Sequence, residues 1–126
     1  MTLVADSGTG VKLFAVEGRI KAMAGDSVIA DSNNVIRLEE GALPPVYYVP
    51  KADVRGDLLT PTDHSTHCGV KGDASYYTLR LDDGREFENA VWQYATPKAG
   101  LEELADRVAF YGHVVDRWIA GDAAAA

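Results

Sequence analysis

From Val11 to Trp92 the chain is a succession of short β-prone runs, each ended by Gly, Pro, Asn or Asp. That punctuation limits the fold more than any other feature. β-Branched and aromatic residues suit a pleated, half-buried surface, and the interrupting residues suit turns. The runs fall at 11–16, 19–24, 28–31, 35–38, 46–49, 74–81 and 85–92. The first two join around Glu17-Gly18. Ser32-Asn33-Asn34 is predicted to be a hairpin connector, because Asn tolerates positive φ. V-Y-Y-V at 46–49 is closed by prolines and is expected to be short or at a sheet edge. Asp82-Asp83-Gly84, between the last two runs, is the strongest hairpin signal.

After Pro97 the apolar period changes. Leu101, Leu104, Val108, Tyr111, Val115 and Trp118 recur at three- and four-residue steps, which predicts an amphipathic helix over about 99–120 resting on the sheets. Pro97 suits its start, Glu102 and Glu103 its positive end, and Gly121 its stop. The expected class is therefore mainly β, of the α+β kind, with antiparallel sheets and one C-terminal helix. With 126 residues and no internal repeat, one domain over 1–126 is expected, ending in a frayed tail at 121–126 that includes Ala123 to Ala126.

Composition narrows the class of partner. The formal net charge is -7, from 12 basic and 19 acidic residues, which argues against nucleic acid as a partner. A local basic pocket stays open, since Lys51, Arg55, Lys71, Arg80 and Arg85 fall in the central half. A lone cysteine forms no intrachain disulfide. The first residues lack a secretory pattern, and no apolar stretch approaches the ~20 residues that cross a bilayer. A cytoplasmic protein without a membrane partner is expected.

The run D-H-S-T-H-C-G-V-K-G-D-A-S-Y-Y at 63–77 concentrates groups that need polar partners. Asp63, His64, His67 and Cys68 lie within six residues, but a closed zinc site draws on two separated ligand pairs, and no second pair is present. No metal and no cofactor are expected. Cys68 with Lys71 nearby is a possible nucleophile, yet adjacent strand residues point to opposite faces, so His67 is poorly placed to activate it. The inert reading of Cys68 is favoured. Gly69-Val70-Lys71-Gly72 is a fragment of a phosphate loop that lacks the full spacing and leads into a strand. In F-E-N-A-V-W, Asn89 shares a face with Phe87 and Val91, so its amide is either a structural bracket or a ligand contact. Trp92 and Tyr94 form either an aromatic wall or core.

Three blocks, P-P-V-Y-Y-V-P-K-A-D-V-R at 44–55, T-H-C-G-V-K-G-D-A-S-Y-Y at 66–77 and E-N-A-V-W-Q-Y at 88–94, resemble the bacterial family called domain of unknown function 427. The resemblance runs from about Val28 to Trp118. It implies coiled antiparallel sheets similar to a β-tent, finished by a C-terminal helix. Gly69 and Val70 replace the proline and aromatic usual in that family after T-H-C, and His64 is not a typical family position. Some labels of the family mention a nucleotidyltransferase, an activity that needs acidic residues behind a Gly-Ser loop. Here the close acidic pair is Asp82-Asp83 in a turn, and the Gly-Ser element is absent, so that activity is not carried over.

The expected function is binding of a small polar or anionic ligand in a pocket built by segments 66–77 and 88–94. Tyr48 and Trp92 would supply apolar walls, and His67, Lys71, Tyr76 and Asn89 polar contacts. One alternative is an enzyme using His67 with Cys68 or Tyr76 as the reacting partner. The other is a protein-interaction module in which the Pro-flanked Tyr47-Tyr48 strand and the C-terminal helix recruit a protein. Close approach of His67, Lys71 and Asn89 favours the first two readings, and an exposed aromatic surface favours the third.

Overall fold

The structure is a computed structural model in which residues 1–121 are described; the tail expected at 121–126 lies, beyond Gly121, outside the described residues. Eleven strands follow in order: β1 (Thr2–Asp6), β2 (Val11–Ala15), β3 (Ile20–Ala24), β4 (Ser27–Ser32), β5 (Ile36–Glu40), β6 (Val46–Pro50), β7 (Leu59–Cys68), β8 (Gly72–Arg80), β9 (Glu86–Gln93), β10 (Arg107–Phe110) and β11 (Arg117–Ala120). They form an eight-stranded sheet, β1-β2-β5-β6-β10-β9-β8-β7, and a three-stranded sheet, β11-β3-β4. Every pairing is antiparallel.

Both faces of the large sheet are covered, and this creates two cores. One lies against the small sheet and holds Ile29, Val35, Val49, Leu79, Val91, Val108 and Val115. The other forms where the large sheet coils on itself. There Val11 and Leu13 of β2 pack with Tyr48 of β6 and Tyr76 of β8, beneath a loop carrying Leu101 and Leu104. An ion pair of 3.0 Å from Lys71 Nζ to Glu40 Oε1 joins the β7–β8 turn to the end of β5 across this second core.

The expected C-terminal helix does not exist, and the α+β assignment is corrected to all-β. Among the described residues the only helical elements are single 3-10 turns at Lys51–Asp53, Gly56–Leu58 and Glu102–Leu104. The apolar spacing misled because it mixes two environments. Leu101 and Leu104 belong to the inner core, whereas Val108 and Val115 belong to the core between the sheets. Residues that would share one face of a helix thus lie on opposite sides of a sheet. All four residues of β10 are buried, since it lies inside a sheet covered on both faces. Such a strand reads as a continuous apolar run and carries no period of two. Among the described residues no helix is long and apolar enough to cross a membrane.

A second correction concerns Ser32-Asn33-Asn34. β4 pairs with β3 and β5 pairs with β2 and β6, so this segment crosses between sheets and closes no hairpin. Ser32 Oγ donates to Asp53 Oδ2 at 2.6 Å and accepts the Asn34 N–H at 3.0 Å. The buried Arg107 guanidinium reaches Asn34 Oδ1 at 2.8 Å. Side chains distant in sequence therefore shape the crossing. β6 is short, as expected, but lies inside the sheet between β5 and β10. The Asp82-Asp83-Gly84 turn does join the paired strands β8 and β9.

Candidate functional site

β6 and β10 are hydrogen-bonded partners only at Arg107↔Pro50 and Val108↔Val49. Beyond that point β6 continues on β5, and β10 continues on β9 through Ala109↔Trp92 and Phe110↔Val91. The ladder opens there into a cleft of about 440 Å³. One wall is the Pro-rich entry to β6, from Leu43 to Tyr47; Trp92, Phe110, Tyr111, Gly112 and Trp118 complete the lining. Trp118 of the small sheet closes one end, its ring 5.1 Å from Tyr47 and 6.4 Å from Phe110. Trp92 and Tyr111 form the other pair, with ring centroids 4.8 Å apart. Tyr111 is 43% exposed despite its size. No described lining residue carries a formal charge.

Beneath Trp92 the ring of Tyr48, 1% exposed, anchors the cleft floor. Trp92 Nε1–H donates to Tyr48 Oη at 3.0 Å, with the rings edge to face at 6.4 Å. The half-buried indole N–H and the buried phenol each need a partner, and here each satisfies the other. Burial raises the Tyr48 phenol far above its ordinary value, more than the Trp92 hydrogen bond lowers it. Burial likewise pushes Tyr94, in the same inner core, up to about 12.

Beside the cleft, β8 is flanked by bulges on both sides, one opposite Tyr76 and the other opposite Thr78. The β7–β8 register shifts between Pro61 and Ser65, and the β8–β9 register shifts between Tyr77 and Leu79. Extra residues in both neighbouring strands bend them together and re-aim their side chains. Asn89 sits in the second bulge at φ 52, the only non-glycine residue with positive φ among the described residues. Its Oδ1 accepts the Thr62 hydroxyl from the first bulge at 2.6 Å, a bond that crosses over β8. Thr62 Oγ1 also accepts the His64 N–H at 3.2 Å. The His64 ring then lies 4.5 Å from Tyr76, whose hydroxyl shares a 2.9 Å hydrogen bond with Thr66 Oγ1. Tyr111 stacks on His113 at 6.0 Å; burial and then the nearby Tyr76 phenol raise the Tyr111 hydroxyl above its usual value. A polar rim of hydroxyls and two imidazoles thus borders the aromatic cleft.

The expected site residues divide into three places. Tyr48, Trp92 and Tyr76 come together, since Tyr76 and Trp92 are cross-strand partners. Asn89 joins them at the rim through Thr62. His67 lies elsewhere, 65% exposed by side chain and hydrogen-bonded to Asp73 at 2.6 Å, its cross-strand partner near the β7–β8 turn. Lys71 is committed to Glu40, and its turn is pressed onto the 96–98 loop: Lys98 N–H donates to Lys71 O at 3.0 Å, and a Cβ on Gly72 would meet Thr96 O at 3.1 Å. Cys68 packs against the inner core while its neighbour His67 faces solvent, so the two do not form a couple. Sequence reasoning took Tyr47 only as part of an interaction surface, and it missed Phe110, Tyr111, Trp118 and His113 as lining or rim. Their density of rings after Ala109 was a usable signal, but the helical reading assigned Tyr111 and Trp118 to a buried stripe.

The acidic pair does not fit a metal–nucleotide site. Asp82 accepts Arg55 Nη1 at 2.7 Å, and Asp83 accepts the Arg85 side chain at 2.8 Å and its backbone N–H at 2.9 Å. These arginine hydrogen bonds hold both carboxyls below the usual range. A search of curated proteins returned no match. A family model, described as Domain of unknown function (DUF427), matches residues 12–121, a longer stretch than the blocks at 44–55, 66–77 and 88–94 alone delimit. That span takes in β3 to β11 whole and all but the first residue of β2, including the parted β6 and β10 that frame the cleft, and the chain belongs to this family.

Proposed function

We propose that the protein binds a small organic ligand in the aromatic cleft between the parted strands β6 and β10. The observation that carries this reading is the open ladder itself. Five aromatic side chains line a cavity of about 440 Å³ where two strands could have continued pairing, and Tyr111 remains substantially exposed. A volume in the range of about 300–1,000 Å³ with mostly apolar walls and a few polar groups is the usual form of a small-ligand site. Trp92 and Tyr48 fix the floor, Tyr47, Phe110, Tyr111 and Trp118 supply walls, and Tyr76 and Asn89 contribute to the polar rim. His67 and Lys71 are left out of the site because both are engaged with carboxylates elsewhere. With Lys71 paired, support for an anionic ligand falls away. The net charge of -7 supports a partner other than nucleic acid, and the free thiol of Cys68 supports a reducing, cytoplasmic setting.

Chemical-shift mapping with a mixed fragment library tests the location. Shifts concentrated on Tyr47, Trp92, Tyr111 and Trp118 are expected. Shifts centred on His67, Lys71 and Asp73 would overturn the assignment in favour of the β7–β8 turn.

A further inference from the structure

Resting on that assignment of the cleft, we infer that its ligand is a small organic cation, an alkylated ammonium. Two features of the walls point to this class. First, the ring pairs that line the cleft are tilted: 45° for Tyr47 and Trp118, 53° for Trp92 and Tyr111, and 63° for Phe110 and Trp118. Rings inclined at these angles offer a guest faces of several orientations, which suits a compact, roughly tetrahedral group better than a flat heterocycle that seeks two parallel faces. Second, the lining offers ring faces and no described charged side chain of either sign. A primary ammonium carries donors and a tight water shell, and would have to find acceptors there. An alkylated ammonium has few or no donors, is weakly hydrated, and is attracted by the negative faces of Trp and Tyr.

The charge of the whole molecule is complementary to such a guest. At a formal net charge of -7 the protein attracts cations and repels anions over distances of about a Debye length. Two cations close in sequence to the lining residues are directed elsewhere: Arg117 Nη2 donates to Gly25 O at 3.1 Å, and Lys51 Nζ lies 4.9 Å over the Tyr77 ring. Neither is among the lining residues. The cavity volume of about 440 Å³ suits a free small molecule.

Titration of the intact protein with choline tests the inference, read on the indole N–H resonances of Trp92 and Trp118. The control is the neutral alcohol in which carbon replaces the ammonium nitrogen, which has the same shape without the charge. Choline is expected to bind about tenfold more tightly than the neutral alcohol, the scale of a partly desolvated cation–ring contact. Tyr111→Leu, at a position 43% exposed, should reduce that preference to about twofold or less by removing one ring face. Equal affinity for the two ligands would overturn the cation inference and leave the cleft assignment standing. Choline that shifts neither indole would also overturn it, and the fragment map then decides the cleft assignment separately. Binding of a trimethyl-lysine peptide much more tightly than choline would overturn the commitment to a free small molecule.

Discussion

The Tyr48–Trp92 hydrogen bond links the two strands that border the cleft floor, and Tyr48→Phe isolates its contribution. The substitution keeps the ring, and with it the edge-to-face contact at 6.4 Å, and removes only the hydroxyl that accepts Trp92 Nε1–H at 3.0 Å. Leaving a buried donor unpaired costs about 1–3 kcal/mol, but Trp92 is half-buried and water can partly replace the lost acceptor. That places the expected loss at about 1–1.5 kcal/mol. At about 2.1 cal/mol/K per residue, 126 residues give an unfolding entropy of about 0.26 kcal/mol/K, so Tm should fall by about 4–6 °C. Urea unfolding followed by Trp fluorescence gives the free energy, and calorimetry gives Tm. A double-mutant cycle with Trp92→Phe should show coupling of about 0.5–1.5 kcal/mol, because either change alone breaks the same bond. An unchanged Tm, or additive effects in the cycle, would refute the claim that this bond ties the floor together.

Further expectations follow from other parts of the molecule. Asn89→Ala should destabilise by about 1–3 kcal/mol, since it combines a left-handed backbone strain with loss of the Thr62 hydrogen bond, and Asn89→Gly, which relieves the strain, should recover part of that loss in urea unfolding. Tyr94, raised to about 12, and Tyr48, raised further by burial, stay protonated in the folded protein after unfolded tyrosines begin to ionise. Their contribution is therefore fully present below about pH 10 and lost as pH rises toward and past about 12, which an alkaline unfolding titration will show. His67→Ala removes only an exposed pair with Asp73 and should change stability by less than about 0.5 kcal/mol in the same urea assay. Gly72→Ala should cost more than about 1 kcal/mol, because φ is +112 and the added Cβ would press on Thr96 O.

Local chemistry in the sequence was enough to read the β-rich class, the hairpin at Asp82-Asp83-Gly84 and the opposite orientations of His67 and Cys68. Each depends on turn preference or on the two-residue period of a strand, properties that neighbours in the chain decide between themselves. Tyr48, Trp92 and Tyr76 were expected to contribute to one ligand pocket, and the structure brings them together through a hydrogen bond and a cross-strand pair. The C-terminal segment was not legible. Val108, Ala109 and Phe110 sit on a strand buried on both faces, and only the presence of the small sheet on one side and the coiled inner core on the other removes the alternation that would have marked it. Asn33 and Asn34 looked like a hairpin turn until Arg107, far along the chain, supplied the contact that holds a crossing. Asn89, by contrast, is driven to positive φ by two bulges on separate strands, which no local pattern around it announces. The cleft is the clearest case of a tertiary decision. β6 and β10 pair over only two residues before they part, and the rings of Tyr47, Trp92, Tyr111 and Trp118 are gathered only around the gap this leaves.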